Sequence, residues 1–133
     1  MKKSKSNSKE KATYLKIKQG DIYLIDFGEY RNHVKGGVRP GVVLSSDHEN
    51  IKASQVLVAP VTSIKHKHLK KQYRNDVVVD VSKENGLHSK SVIHAGNIQS
   101  VDKDNFHHRI GTLEKTKQGA MVRGLMYTLG LPY

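Results

Sequence analysis

No cysteine occurs anywhere in the 133 residues. Disulfides and thiolate metal sites are therefore excluded, and the absence fits a cytosolic protein. Apolar residues make up 36% and aromatics only 6%, so a globular body is expected with some polar chain attached to it. No apolar run approaches the length that spans a bilayer. The N-terminus is basic but is not followed by an apolar stretch, which argues against a secretory signal. Cytoplasmic residence is the expectation, with no membrane partner. Acidic residues are in short supply: 12 Asp and Glu stand against 23 Lys and Arg, for a formal net charge of +11. That imbalance favours polyanionic partners. Nucleic acid comes first, then an anionic membrane surface, then an acidic protein. The length suffices for one compact core and not for a second.

The charge is unevenly spread. Residues 1–18 (MKKSKSNSKEKATYLKIK) hold seven Lys and one Glu, which is +6 of the total +11. With few apolar side chains to offset the entropy of ordering, residues 1–18 read as a mobile basic tail. Either it adds non-specific attraction to phosphates or it only keeps the protein soluble. Residues 19–133 read as the folded domain.

Within that domain, Asp21–Phe27 (DIYLIDF) is rich in β-branched and aromatic residues and is closed by Gly28, the pattern of a strand. Residues 28–39 carry Gly28, Gly36 and Gly37 and read as a loop. Strands are expected over Pro40–Ser46, Gln55–Val61 and Asp76–Val81, with Pro60 marking an edge or a bulge. Between the last two lies a long basic loop, residues 63–75. Ser91–Val101 reads as strand, kink at Ala95-Gly96, strand, and His107–Thr112 as a brief final strand. The period then changes: Val122, Leu125, Met126 and Leu129 form one helical stripe, broadened by Met121 and stopped by Gly130 and Pro132. Gly119 and Gly124 weaken that helix, so packing must hold it. Several short strands and one terminal helix point to a mainly β (α+β) fold, a small, strongly bent antiparallel β-barrel with a C-terminal helix.

The order of short motifs resembles the MazF/PemK toxin family. The matching pieces are Gly20-Asp21-Ile22, Gly37-Val38-Arg39-Pro40, Val58-Ala59-Pro60-Val61-Thr62-Ser63 and Ser91-Val92-Ile93. They continue with Val101-Asp102-Lys103, Arg109-Ile110-Gly111-Thr112-Leu113 and Thr128-Leu129-Gly130-Leu131, so the resemblance covers residues 19 to 131. Each piece alone is common; their number and order carry the resemblance. It implies an SH3-like barrel, a homodimer, and cleavage of single-stranded RNA, often messenger RNA at short motifs. It further implies 2′,3′-cyclic phosphate and 5′-hydroxyl ends, no cofactor and no metal, and a cognate antitoxin that blocks the RNA site.

Cleavage through a neighbouring 2′-hydroxyl needs in-line geometry, charge stabilisation on the phosphoryl oxygens, a base and an acid. Arg39 suits the phosphoryl clamp: its guanidinium is a permanent cation with a planar fork. The alternative is an Arg that only holds its loop. Thr62 and Ser63 end a strand and carry hydroxyls able to donate to a phosphoryl oxygen; the family places an active-site residue at the Thr62 position and a frequent helper at Ser63. His33 and His94 match positions that carry polar active-site residues in relatives, and imidazole suits proton transfer near neutrality. Lys65, Lys67, Lys70, Lys71 and Arg74 in the basic loop, with Gln99, are the expected RNA contacts, and Tyr73 could stack a base.

Three positions depart from the family's pattern. The acidic residue that serves as the proposed base in some relatives is Gly96 here, a glutamate following the His33 position is Val34, and a frequent Arg is Gln99. The general base is therefore unassigned by the sequence. Two rival readings follow: a barrel that holds RNA without cutting it, and a protein-targeting toxin like the gyrase poisons of the same fold.

Overall fold

The structure, a computed structural model, describes residues 16–29, 37–64 and 73–132. Seven strands and two helices are described, with a short 3-10 turn at Lys103–Asn105. The strands are β1 (Asp21–Asp26), β2 (Val38–Val43), β3 (Gln55–Ser63), β4 (Asp76–Val79), β5 (Ser91–His94), β6 (Gln99–Asp102) and β7 (Phe106–Thr112). The helices are α1 (Asp47–Lys52) and α2 (Lys115–Leu129). Every pairing is antiparallel.

The hydrogen-bonded path runs β4-β5-β3-β2-β1-β7, with β6 pairing β3 beside it. This is a bent, barrel-like sheet that does not close into a ring among the described residues. The bend has a definite location in β3. Residues 55–58 pair with β6, whereas residues 61–63 pair with β5. Pro60, expected at an edge or a bulge, sits instead inside a central strand, at the corner between these two partners. A residue without an N–H is tolerated there because the ladder is already interrupted on that side.

Both faces of the central strands are buried, which explains their nearly continuous apolar runs. Ile22, Val42, Ala59 and Val61 enter one core together with Val77, Val79, Ile93 and Met121 of α2. The alternate residues Tyr23, Ile25, Val43, Val56 and Val58 enter a second core with Val101 and Phe106. Tyr23 and Phe106 meet edge to face there, 5.2 Å between ring centres. Ile17 also packs in this second core and is 5% exposed, so ordered packing begins two residues before Gln19.

Some expected boundaries shift. β2 begins at Val38 and ends at Val43, so Arg39 lies in a strand rather than in the preceding loop. The strand at Asp76 ends at Val79 rather than Val81. Helix α1 was not anticipated, although Ser46 caps it by accepting from the Glu49 N–H at 3.2 Å, and the Ser-x-x-Glu spacing is a known start signal. The expected stripe of α2 is corrected. Its buried residues are Met121 and Gly124, whereas Val122 and Leu129 are 46% and 60% exposed. The helix turns its smallest residue inward because β4 and its flanking turn lie close. A Cβ on Gly124 would sit 3.0 Å from the Asn75 carbonyl oxygen and 3.3 Å from Ala95 Cβ. Gly130 ends α2 in the left-handed region at φ 72°. There the Leu131 N–H bonds back to the Met126 carbonyl at 2.8 Å, a glycine-dependent stop.

Candidate active site

Four strands deliver one polar side chain each to a common place. Arg39 is the second residue of β2, Thr62 the penultimate residue of β3, His94 the last of β5 and Asp76 the first of β4. β4 and β5 set Asp76 directly across from His94, and β5 and β3 set Val92 across from Thr62. Since side chains alternate along a strand, Thr62, Val92, His94 and Asp76 share one face of the sheet.

The contacts join them in a chain. The Arg39 guanidinium donates from Nη1 to Thr62 Oγ1 at 3.3 Å. The same hydroxyl lies 3.2 Å from His94 Nε2. The other ring nitrogen, Nδ1, lies 3.4 Å from Asp76 Oδ1. The second Asp76 oxygen accepts from the Tyr73 N–H at 3.3 Å, which ties the carboxylate to the turn that starts β4. The site grades from open to closed: Arg39 is half-buried, the His94 side chain 22% exposed and the Asp76 side chain 7% exposed.

The expected residues divide into three groups. Arg39, Thr62 and His94 are brought together. Ser63 is not: the pleat turns it to the opposite face from Thr62, the side of buried Val61, where it pairs with Ser91. Gln99 holds Asn97 at 3.4 Å, in the turn that follows His94. Arg74 stacks on Tyr127 of α2 at 5.2 Å and lines a groove of about 440 Å³ between β4 and α2 with Lys117 and Arg123. His33, Lys65, Lys67, Lys70 and Lys71 lie outside the described residues.

Sequence reasoning missed Asp76. Within the run DVVVDV it reads as the polar start of a strand, and only the register across to His94 gives it meaning. Gly96 takes the position matched to an acid in some relatives, and the Asn75 side chain lies beside it. A Cβ there would sit 2.5 Å from Asn75 Nδ2, and that amide donates to Thr128 Oγ1 of α2 at 3.0 Å. Among the described residues no three His, Asp or Glu side chains stand close enough to share a metal ion, and no helix is long and apolar enough to cross a membrane.

The sequence profile that describes the PemK-like, MazF-like toxins of type II toxin–antitoxin systems matches residues 18–129. The chain belongs to this family. Among curated PemK/MazF proteins, the endoribonuclease MazF of Staphylococcus epidermidis is 30% identical over 116 residues, covering 86% of this chain and 92% of the relative. The fold agrees with the solved PemK/MazF structures. MazF of Deinococcus radiodurans superposes with a TM-score of 0.73 at 22% identity, covering 88% of this chain and 99% of that one. An endoribonuclease from a mycobacterial species, solved in complex with its cognate antitoxin, superposes at 0.71 and 20% identity, covering 88% and 98%. The bent antiparallel sheet with its C-terminal helix is thus the PemK/MazF architecture, and the Arg39–Thr62–His94 cluster is built on its strands.

Proposed function

We propose that the chain is the RNA-cleaving toxin of a type II toxin–antitoxin pair, acting in the cytoplasm as a homodimer. It cuts single-stranded messenger RNA at short motifs without a metal or other cofactor, and a cognate antitoxin restrains it. The observation that carries this reading is the contact of Arg39 with the Thr62 hydroxyl at 3.3 Å, with His94 on the same hydroxyl at 3.2 Å. A permanent cation, a hydroxyl donor and an imidazole on one sheet face are what a phosphoryl transfer driven by the substrate's own 2′-hydroxyl requires. Family membership and the 30% identical MazF endoribonuclease support it.

In the reaction, the 2′-oxygen attacks the adjacent phosphorus and the bond from phosphorus to the 5′-oxygen breaks. Arg39 meets the charge that builds on the phosphoryl oxygens, where a preorganised donor is worth most. Thr62 orients the phosphate and His94 handles a proton. The products are a 2′,3′-cyclic phosphate and a 5′-hydroxyl. Arg74, Lys117 and Arg123 supply cations along the neighbouring groove, and the basic 65–72 segment adds more; both contribute affinity more than sequence selection.

The test is incubation of the purified chain with a long messenger RNA in EDTA, followed by end analysis. Fragments ending in cyclic phosphate are expected. RNA that is shifted in a gel but stays intact selects the binding barrel instead. Inertness toward RNA together with gyrase binding selects a protein-directed toxin.

A further inference from the structure

The geometry points to Asp76 as the residue that positions His94 and makes it the general base, in place of an acid at position 96. This inference deepens the endoribonuclease reading and rests on it for the chemical step. Its structural part, the protonation state of His94, stands apart from that reading.

Donors and acceptors decide which nitrogen of His94 is basic. An ionised carboxylate only accepts. The cross-strand pairing holds Asp76 Oδ1 3.4 Å from His94 Nδ1, so the neutral ring carries its proton on Nδ1 and leaves the lone pair on Nε2. The Thr62 hydroxyl then has one consistent arrangement: it accepts from Arg39 Nη1 at 3.3 Å and donates to Nε2 at 3.2 Å. Every contact from Arg39 to Asp76 has the same sense, and the basic nitrogen faces the hydroxyl and the cation that define the phosphate position. The opposite tautomer would set an N–H against Thr62 and a lone pair against a carboxylate.

The charge of Asp76 also sustains the imidazolium formed in the reaction. Among the described groups in contact around His94, Asp76 of β4 is anionic and Arg39 of β2, bonded to the same threonine hydroxyl, is cationic. A second cation beside Arg39 is costly unless a carboxylate offsets it. As the 2′-hydroxyl proton passes to Nε2, the Thr62 O–H is released and turns to a phosphoryl oxygen. A water molecule protonates the departing 5′-oxygen, and the hydroxide so formed recovers the proton from His94. Asp76 takes no proton from the substrate and is a positioning residue. Its anchor to the Tyr73 N–H at 3.3 Å fixes its orientation, and an acid at position 96 would have to displace the Asn75 amide, whose Nδ2 would lie 2.5 Å from the added Cβ.

Two measurements test this. The first is nitrogen-15 NMR of the imidazoles of the full chain, with the signal of His94 identified among the eight histidines by its loss in H94Q. The neutral ring should carry its proton on Nδ1, and Asp76→Asn should lower its titration midpoint by about one pH unit or more. Asparagine keeps an oxygen for the Tyr73 N–H, so the turn survives. An Nε2–H tautomer in the wild type overturns the proposal whatever any variant does. The second is single-turnover cleavage of an RNA oligonucleotide against pH. Asp76→Asn should slow it about tenfold or more at neutrality, move its acidic limb with the NMR midpoint, and add nothing to H94Q. An unmoved midpoint and a wild-type rate in Asp76→Asn overturn it. If the wild type cuts no RNA, the endoribonuclease reading and the assignment of His94 as base fail together, while the NMR titration still decides whether Asp76 sets the tautomer.

Discussion

Gly96 and Asn75 occupy one volume: a Cβ on the glycine would lie 2.5 Å from the asparagine's Nδ2. The amide is not idle, since it donates to Thr128 Oγ1 and so ties the end of α2 to the turn before β4. Restoring an acid at this position therefore displaces a structural group. Gly96→Asp should destabilise the fold by about 1–3 kcal/mol through overpacking and a lost hydrogen bond, read as a fall in urea midpoint. It should not raise RNA cleavage. A variant of unchanged stability that cuts faster would show that the space is open and the missing acid matters.

Arg39 and Thr62 carry the reading of the site, and they separate by what each substitution removes. Arg39→Ala should reduce cleavage by about 10²-fold or more, the cost of removing a preorganised charge stabiliser, with a smaller effect on RNA affinity. Thr62→Val keeps the shape and deletes the hydroxyl that joins Arg39 to His94. It should slow cleavage about tenfold or more, as the loss of a charge-assisted hydrogen bond allows, while Thr62→Ser retains most activity. Single-turnover rates on one oligonucleotide decide the matter. Wild-type rates in Arg39→Ala remove the clamp from the mechanism.

Much of this was legible before the fold, and the gaps have physical causes. The resemblance to the toxin family pointed to Arg39, Thr62 and His94, and the chemistry of a permanent cation, a hydroxyl and an imidazole made them one plausible site for phosphoryl transfer. Asp76 was invisible because its role depends on strand register, and register is a long-range property. Ser63 was expected as a helper beside Thr62 because adjacency in sequence hides the pleat, which sends the two to opposite faces. The stripe on α2 misled for a related reason. Apolar periodicity gives glycine no weight, yet Gly124 marks the buried face because the Asn75 backbone comes so close. Pro60 was rightly seen as a disturbance in β3, but only the change of partners from β6 to β5 shows that it marks a corner.

Stability should fall in acid through Glu114, which links the 80–87 turn to the start of α2. Ser82 Oγ donates to its carboxylate at 2.5 Å and Asn85 Nδ2 at 3.2 Å. Partial burial acts to raise its pKa, but these hydrogen bonds, its own backbone N–H and the charge of Lys117 outweigh that and hold it below the ordinary 4.5. A folded value below the unfolded one means that the stabilisation is present above the unfolded value and is lost as pH falls through the folded one. Urea unfolding should therefore show Glu114→Gln less stable than wild type at pH 7, with the difference shrinking as pH drops below about 4.5. A difference constant down to pH 3 would exclude Glu114 as a source of acid sensitivity.

The basic N-terminal stretch is proposed as an RNA-attracting tail separable from the domain. The place to cut follows from packing: Ile17 is 5% exposed within the second core, and the Lys18 N–H bonds Asp21 Oδ2 at 3.3 Å, so a deletion should stop at residue 15. Residues 1–15 contain five Lys and one Glu. On single-stranded nucleic acid each neutralised phosphate adds about 0.7 to the slope of log affinity against log salt. Deleting the tail should therefore make that slope shallower by up to about 3 and weaken binding chiefly at low salt. Thermal stability and the single-turnover rate at saturating RNA should stay as in the full chain, because the cation and hydroxyl of the site remain in place. Titrations of a fluorescent, non-cleavable oligonucleotide across a salt series provide the measurement. An unchanged slope would mean that the tail does not touch RNA, and its lysines would then serve solubility alone.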